Sequence, residues 1–194
     1  MHILTYPTPI RVSYKEVRAL VPSLLASYAP NVDLVLHIGM ASGRKHYSLE
    51  RLAHRDGYSR SPDVDGERLA PDAGSRDFGD CKHLLTTTLD YDEVFAGWEG
   101  NLRSEGVEGV SVEESNDPGH YLCDYIYFNS LAWFARRNQQ VSDGRVEDRP
   151  VLFLHVPAES YEEGLQRGTR ATTALLRAMA ESWSVSKRYE RTIA

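Results

Sequence analysis

Cysteine is scarce in this chain of 194 residues: Cys81 and Cys123 are its two thiols. Two cysteines make no disulfide framework, which excludes a small stapled secreted scaffold and fits a reducing compartment. Positive charge is short as well. Lys and Arg total 22 against 28 Asp and Glu, a formal net charge of −6. That balance argues against a nucleic-acid or anionic-membrane surface, since phosphate binding needs a basic face. No apolar run approaches the length of a membrane span. Met1 to Pro7 has no basic flank ahead of an apolar stretch, so no secretory signal is read there. Metal-ligand spacing is missing too: His37, His46 and His54 are near one another, but neither HExxH nor CxxC occurs. His37 and His46 read as structural, and no metal or cofactor is expected. The absences leave a cytoplasmic globular protein of ordinary apolar content. One domain is expected over residues 1–183, followed by a polar tail, 184–194, that frays.

Strand and helix patterns alternate along the chain. His2 to Tyr6 reads as a short extended run, and Val12 to Tyr28 as a helix kinked at Pro22. Asp33 to Ile38 is an apolar strand, His46 to His54 an extended segment, and Arg55 to Gly79 a long loop rich in Gly, Pro, Asp and Ser. Lys82 to Leu89 reads as a strand. Asp90 and Glu93 form a capping-box-like start for a helix to Ser104. Glu108 to Val112 is expected to be a strand. Asp117-Pro118 is a helix start, with Asp as cap and Pro at the first helical position, for a helix to Arg137. A loop over 138–149, a buried strand Val151 to Val156 and a helix from Ala158 to Trp183 complete the pattern. Such alternation implies a mostly parallel sheet covered on both faces, with sites at the carboxyl ends of strands.

Three residues stand out chemically. Cys123 lies just inside the start of a helix, where first-turn N–H groups favour a thiolate and can hold an oxyanion. The sequence thus predicts a thiol pKa below the usual value; the plain alternative is a small buried packing residue. His155 closes an apolar strand before Val156-Pro157 and can serve as base, or be a core histidine. Glu50 can orient an imidazole, or be an exposed strand residue paired with Arg44 or Arg51. Arg60, in the long loop, can bind an oxyanion or stay solvated, and Gly66 reads as a turn residue. Cys81 reads as packing. Of the aromatics Tyr121, Tyr125, Tyr127, Phe128, Trp133 and Phe134, only Tyr121 is placed to reach a pocket.

Taken together, these segments resemble the pyroglutamyl peptidase I family of cysteine peptidases. Ser115 to Asp124 matches the family's Ser-x-Asp-Ala-Gly-x-Tyr-Leu-Cys-Asn, with Pro118 for Ala and Asp124 for Asn. Phe153 to Pro157 matches Phe-Ile-His-Val-Pro, and Gly39 to Ala53 matches Gly-x-Ala-x-Gly-Arg…Glu-Arg-x-Ala. Ser59 to Asp63 with Gly66 matches Ala-Arg-Ile-Pro-Asp…Gly. The resemblance covers about Pro9 to Ser182 and implies a three-layer α/β/α sandwich with a mostly parallel or mixed central sheet. It implies removal of an N-terminal pyroglutamyl residue from peptides through an acyl-enzyme, without cofactor. Cys123, His155 and Glu50 then form the triad and Arg60 assists the oxyanion. Tyr121, Leu122, Met40 and Ser61 fall at substrate-binding positions. Nothing in Met1 to Ile10 matches the family's first strand and Gly-Phe-x-Pro-Phe loop, which predicts weak turnover. Two other readings stay open: an inactive paralogue or binding protein on this scaffold, and a cysteine hydrolase of another N-terminal acyl or lactam group.

Overall fold

Residue parity along the strand Val151–Val156 organises the molecule. Val151 and Phe153 pack into one apolar cluster and Leu152 and Leu154 into another, as alternating side chains of a strand covered on both faces must. In the computed structural model, residues 1–28, 31–137 and 149–193 are described, with side chains described to Val185. The elements are α1 Tyr14–Tyr28, β1 Val35–Met40, β2 Tyr47–Glu50, β3 Leu52–His54, α2 Ala73–Phe78, β4 Leu84–Thr86, α3 Tyr91–Ser104, β5 Val112–Ser115, α4 Leu122–Arg137, β6 Val151–Val156 and α5 Glu162–Ile193.

The main sheet has the order β1-β6-β2-β5. β1 runs parallel to β6 and β2 parallel to β5, while β2 and β6 are antiparallel, so the sheet is mixed. α1 and α4 cover one face and α3 and α5 the other, which gives the three-layer α/β/α architecture. Asp90 caps α3 as its sequence implies, its side chain accepting the Glu93 N–H at 3.0 Å. The Trp98 indole N–H donates to the Ala171 carbonyl at 2.8 Å and ties α3 to α5. Leu152, Leu154, Phe153, Trp98 and Leu175 are almost wholly buried. Each such side chain contributes roughly 1.5–3 kcal/mol by leaving water.

Several elements depart from their sequence patterns. Residues 1–13 form no strand, so the run His2 to Tyr6 stays outside the sheet. The extended segment 46–54 splits at Arg51. β2 joins the main sheet, and β3 turns away to pair with β4 in a separate two-stranded sheet. The long loop contains α2, whose Phe78 packs edge-on against Phe128 at 5.3 Å. β5 begins at Val112 rather than Glu108, after Gly109 at φ +71°. α5 continues past Trp183 to Ile193, where the sequence implies a frayed tail. The loop expected over 138–149 lies, except for Arg149, outside the described residues. Among the described residues no helix is long and apolar enough to cross a membrane.

Candidate active site

Strand parity brings the candidate residues together. His155 shares the parity of Val151 and Phe153 and so emerges on the α1/α4 face of β6. On β2, Tyr47 and Leu49 belong to the α3/α5 core, which turns Ser48 and Glu50 to the α4 side. The register sets Ser48 opposite His155 and Glu50 opposite Phe153. Glu50 therefore reaches His155 along a cross-strand diagonal, a reach suited to a long side chain. Its Oε1 lies 2.7 Å from His155 Nδ1. Glu50 is fully buried and His155 nearly so.

Burial alone would push the Glu50 carboxyl up, but His155, the Ser115 hydroxyl and Arg44 outweigh it and hold it below its ordinary value. An ionised Glu50 accepts from Nδ1–H, which assigns the proton of the neutral ring to Nδ1 and leaves Nε2 with a free lone pair. Arg44 is visible in the sequence only as an alternative partner for Glu50; the structure gives it a second role at the same time. Its Nη1 donates to Glu50 Oε1 at 2.6 Å and its Nη2 to the Asp117 carbonyl at 2.8 Å. The guanidinium thus links the carboxylate to the turn that precedes the nucleophile's helix.

That helix starts later than Asp117-Pro118 suggests. The Asp117 side chain accepts the Gly119 N–H at 2.9 Å, closing a tight turn with Gly119 at φ +85°. The first helical hydrogen bond runs from Tyr125 N–H to Tyr121 O at 2.9 Å, and α4 begins at Leu122. Cys123 is its second residue, so the N–H groups of Leu122, Cys123 and Asp124 have no partner within the helix. The sulfur sits over the carboxyl end of β1: a Cβ built on Gly39 would lie 3.1 Å from Cys123 Sγ and 2.6 Å from the Phe153 ring. Gly39 is the register partner of His155 across the β1–β6 pair. A bare backbone at position 39 is what admits the sulfur over this end of β1.

The thiol is not depressed as its position in the sequence implies. Burial pushes Cys123 up to about 11, the charges of Glu50 and Asp124 act the same way, and Arg44 opposes them. The resting sulfur is therefore protonated. Alkylation of Cys123 by iodoacetamide is expected to be slow near pH 7 and to rise about tenfold per pH unit toward pH 11. Mass spectrometry would separate it from Cys81, which is buried and also pushed up to about 11. A flat, fast rate from pH 6 to 9 would instead reveal a preformed thiolate.

The remaining candidates lie on the long loop, at the end of β1 and at the start of α4. Arg60 is exposed, and among the described residues its side chain makes no hydrogen bond or ion pair; its carbonyl accepts from Arg68. Tyr121 donates to the Pro62 carbonyl at 3.0 Å and meets Tyr14 edge-on, so it anchors the long loop. Ser61 is exposed and its carbonyl faces the Tyr14 hydroxyl at 3.5 Å. Met40 is exposed at the end of β1. The Leu122 side chain is buried in the α1/α4 core, which leaves its backbone at the start of α4 to face a substrate. Gly66 takes φ +80°, as a turn residue would. His37 is structural, its Nε2 2.8 Å from Ser130 Oγ, with burial pushing it down to about 4. A shallow apolar groove lined by Ile38, Val156, Leu165 and Thr172 opens on the α5 side of the sheet, away from Cys123.

The chain is similar to known proteins in sequence and in fold. The pyroglutamyl peptidase family model matches residues 4–160. Human pyroglutamyl-peptidase 1 is 29% identical over 182 residues, covering 93% of this chain and 73% of its own. The pyrrolidone-carboxylate peptidase of Pyrococcus furiosus is 27% identical over 130 residues, 64% of this chain and 51% of its own. A crystal structure of a mutant pyrrolidone carboxyl peptidase from P. furiosus superposes with a TM-score of 0.68 at 20% identity, covering 89% of this chain and 79% of that one. The pyrrolidone carboxyl peptidase of Thermococcus litoralis gives 0.68 at 19% identity, with 90% and 77% covered. These structures share the fold.

Proposed function

Because this chain belongs to the pyroglutamyl peptidase family, we propose that it removes N-terminal pyroglutamyl residues from peptides with a Cys123–His155–Glu50 triad. The observation that carries the proposal is the buried 2.7 Å pair of Glu50 and His155 on the sheet face where α4 presents Cys123 beside Gly39. Cys123 Sγ attacks the pyroglutamyl carbonyl while His155 Nε2 takes the thiol proton. Since the thiol is held protonated at rest, proton transfer and attack belong to one event. The oxyanion forms within reach of the first-turn amides of α4, with Arg60 as a cation supplied from the long loop. Nε2 then gives its proton to the leaving peptide amine. Water, deprotonated by His155, hydrolyses the thioester to pyroglutamate and regenerates the thiol. Glu50 keeps the ring oriented and balances the imidazolium, and Arg44 positions Glu50.

Tyr121, Met40, Ser61 and the Leu122 backbone are assigned to the substrate's surroundings. The catalytic domain is assigned to residues 1–183, and the two free thiols favour the cytoplasm. The test is a pair of fluorogenic amides that differ only in the lactam carbonyl. The pyroglutamyl amide should be hydrolysed, and the prolyl amide at least about 100-fold more slowly, because a site shaped for a polar group rejects its absence. Equal rates would overturn the specificity. Turnover of small N-acyl peptides without turnover of the pyroglutamyl amide would favour a hydrolase of another acyl group.

A further inference from the structure

A second cluster of side chains lies beside the nucleophile's turn and takes no part in the triad. β3 ends at His54, His120 precedes α4, and Asp124 sits in the first turn of α4. Asp124 is fully buried. Its Oδ1 accepts the His54 backbone N–H at 2.8 Å, which fixes the carboxylate and leaves Oδ2 facing two imidazoles. Oδ2 is 2.9 Å from His54 Nδ1 and 3.7 Å from His120 Nδ1. The two rings lie 4.5 Å apart between centroids, and one ligand atom from each residue falls within 4.8 Å of the others.

An ion pair between His54 and Asp124 would account for two of these groups and not for the third. His120 is at the surface, with 41% of its side chain exposed, and could point into water. It turns inward over Gly57 instead. Gly57 has φ +108°, and a Cβ there would lie 2.7 Å from His120 Nδ1. A glycine at this position is what allows the second imidazole to approach the carboxylate.

We propose that His54, His120 and Asp124 form a site for a borderline divalent transition metal, the class of Zn²⁺ and Co²⁺. Two imidazoles and a carboxylate are a donor set of that class. Metal–ligand bonds of about 2.0–2.1 Å place neighbouring donors of a tetrahedron roughly 3.4 Å apart. The two separations from Oδ2, 2.9 and 3.7 Å, bracket that spacing, and the three donor atoms lie within 4.8 Å of one another. Three protein ligands leave one position open toward the exposed side of His120. An ion there replaces the proton shared by His54 and Asp124 and fastens the end of β3 to the first turn of α4. The inference rests on the geometry of these three residues and not on the catalytic reading.

The experiment uses the full chain carrying Cys123→Ala, so that the candidate nucleophile cannot ligate the ion. Titration with Co²⁺ should give visible d–d absorption saturating at one equivalent, without a thiolate charge-transfer band. Zn²⁺ should compete for the site and raise Tm, since a ligand bound only by the folded state stabilises it. Adding His120→Ala should weaken Co²⁺ binding by at least about tenfold, because loss even of a partner behind a ligand costs that much. Circular dichroism checks that the surface substitution leaves the fold unchanged, and His120→Gln is the second variant should it not. Equal Co²⁺ binding with and without His120, a thiolate band from Cys81, or no binding tighter than about 1 mM would each overturn the proposal.

Discussion

Replacement of Cys123 by alanine is expected to remove pyroglutamyl amide turnover, lowering kcat/KM by about 10⁴-fold or more, as loss of a nucleophile that acts with its base as a unit does. No second thiol stands in for it. Cys81 is buried in the α1/α4 core, and both burial and Asp80 push its thiol up. The fold should survive. The sulfur rests over the Gly39 backbone, so alanine leaves a small gap at the rim of the sheet, worth less than about 1 kcal/mol. The Glu50–His155 pair does not depend on it. Kinetics and a thermal melt on one preparation give the decision. A variant that keeps a tenth of the wild-type rate would remove Cys123 from the mechanism.

How far this arrangement could be read from the sequence varies from residue to residue, for physical reasons. His155 was legible because one polar residue ends an otherwise apolar strand, and the parity of Val151-Leu152-Phe153-Leu154 then fixes the face on which it emerges. Glu50 could be named but not placed, since its reach to His155 depends on β2 running antiparallel to β6, and pairing direction is not written in a four-residue segment. Arg44 stands six residues before Glu50, and its double contact exists only once the turn at Asp117 is folded against it. The start of α4 was misplaced by local chemistry: an Asp before a Pro signals a cap, yet here the same carboxylate closes a turn on Gly119. The Cys123 thiol shifts opposite to expectation because position in a helix predicts only the favourable first-turn amides. Burial of the sulfur outweighs them, and the charges of Glu50 and Asp124 act in the same direction. Burial also decided Leu122, whose motif position implied substrate and whose side chain belongs to the core.

Glu50→Gln separates orientation from charge. In many triads the amide replacing a carboxylate turns its NH₂ toward the ring, selects the wrong tautomer and lowers kcat by about 10⁴-fold. Arg44 opposes that here. Its Nη1 donates to the same Oε1 that faces His155 Nδ1, so the amide oxygen of the substituted side chain is held at the Oε1 position and accepts from both. The tautomer persists while the negative charge is lost, and Arg44 then lies uncompensated beside the ring that must become an imidazolium. One charge–charge interaction at about 4 Å is worth roughly 4 kcal/mol at an effective dielectric near 20, so kcat should fall about 10³-fold with KM little changed. Stability should change as well. The folded Glu50 carboxyl sits below its ordinary value of 4.5. The wild type therefore holds this contribution in full above about pH 4.5 and loses it as pH falls through the depressed folded value. The Gln variant lacks it throughout. At pH 7 it should be less stable by roughly 2 kcal/mol, the scale of a hydrogen bond to a charged group. The two melting curves should draw together as the pH falls below 4.5. A kcat within about threefold of wild type, or a Gln variant as stable as the wild type at pH 7, would show that the charge of Glu50 is dispensable to the site.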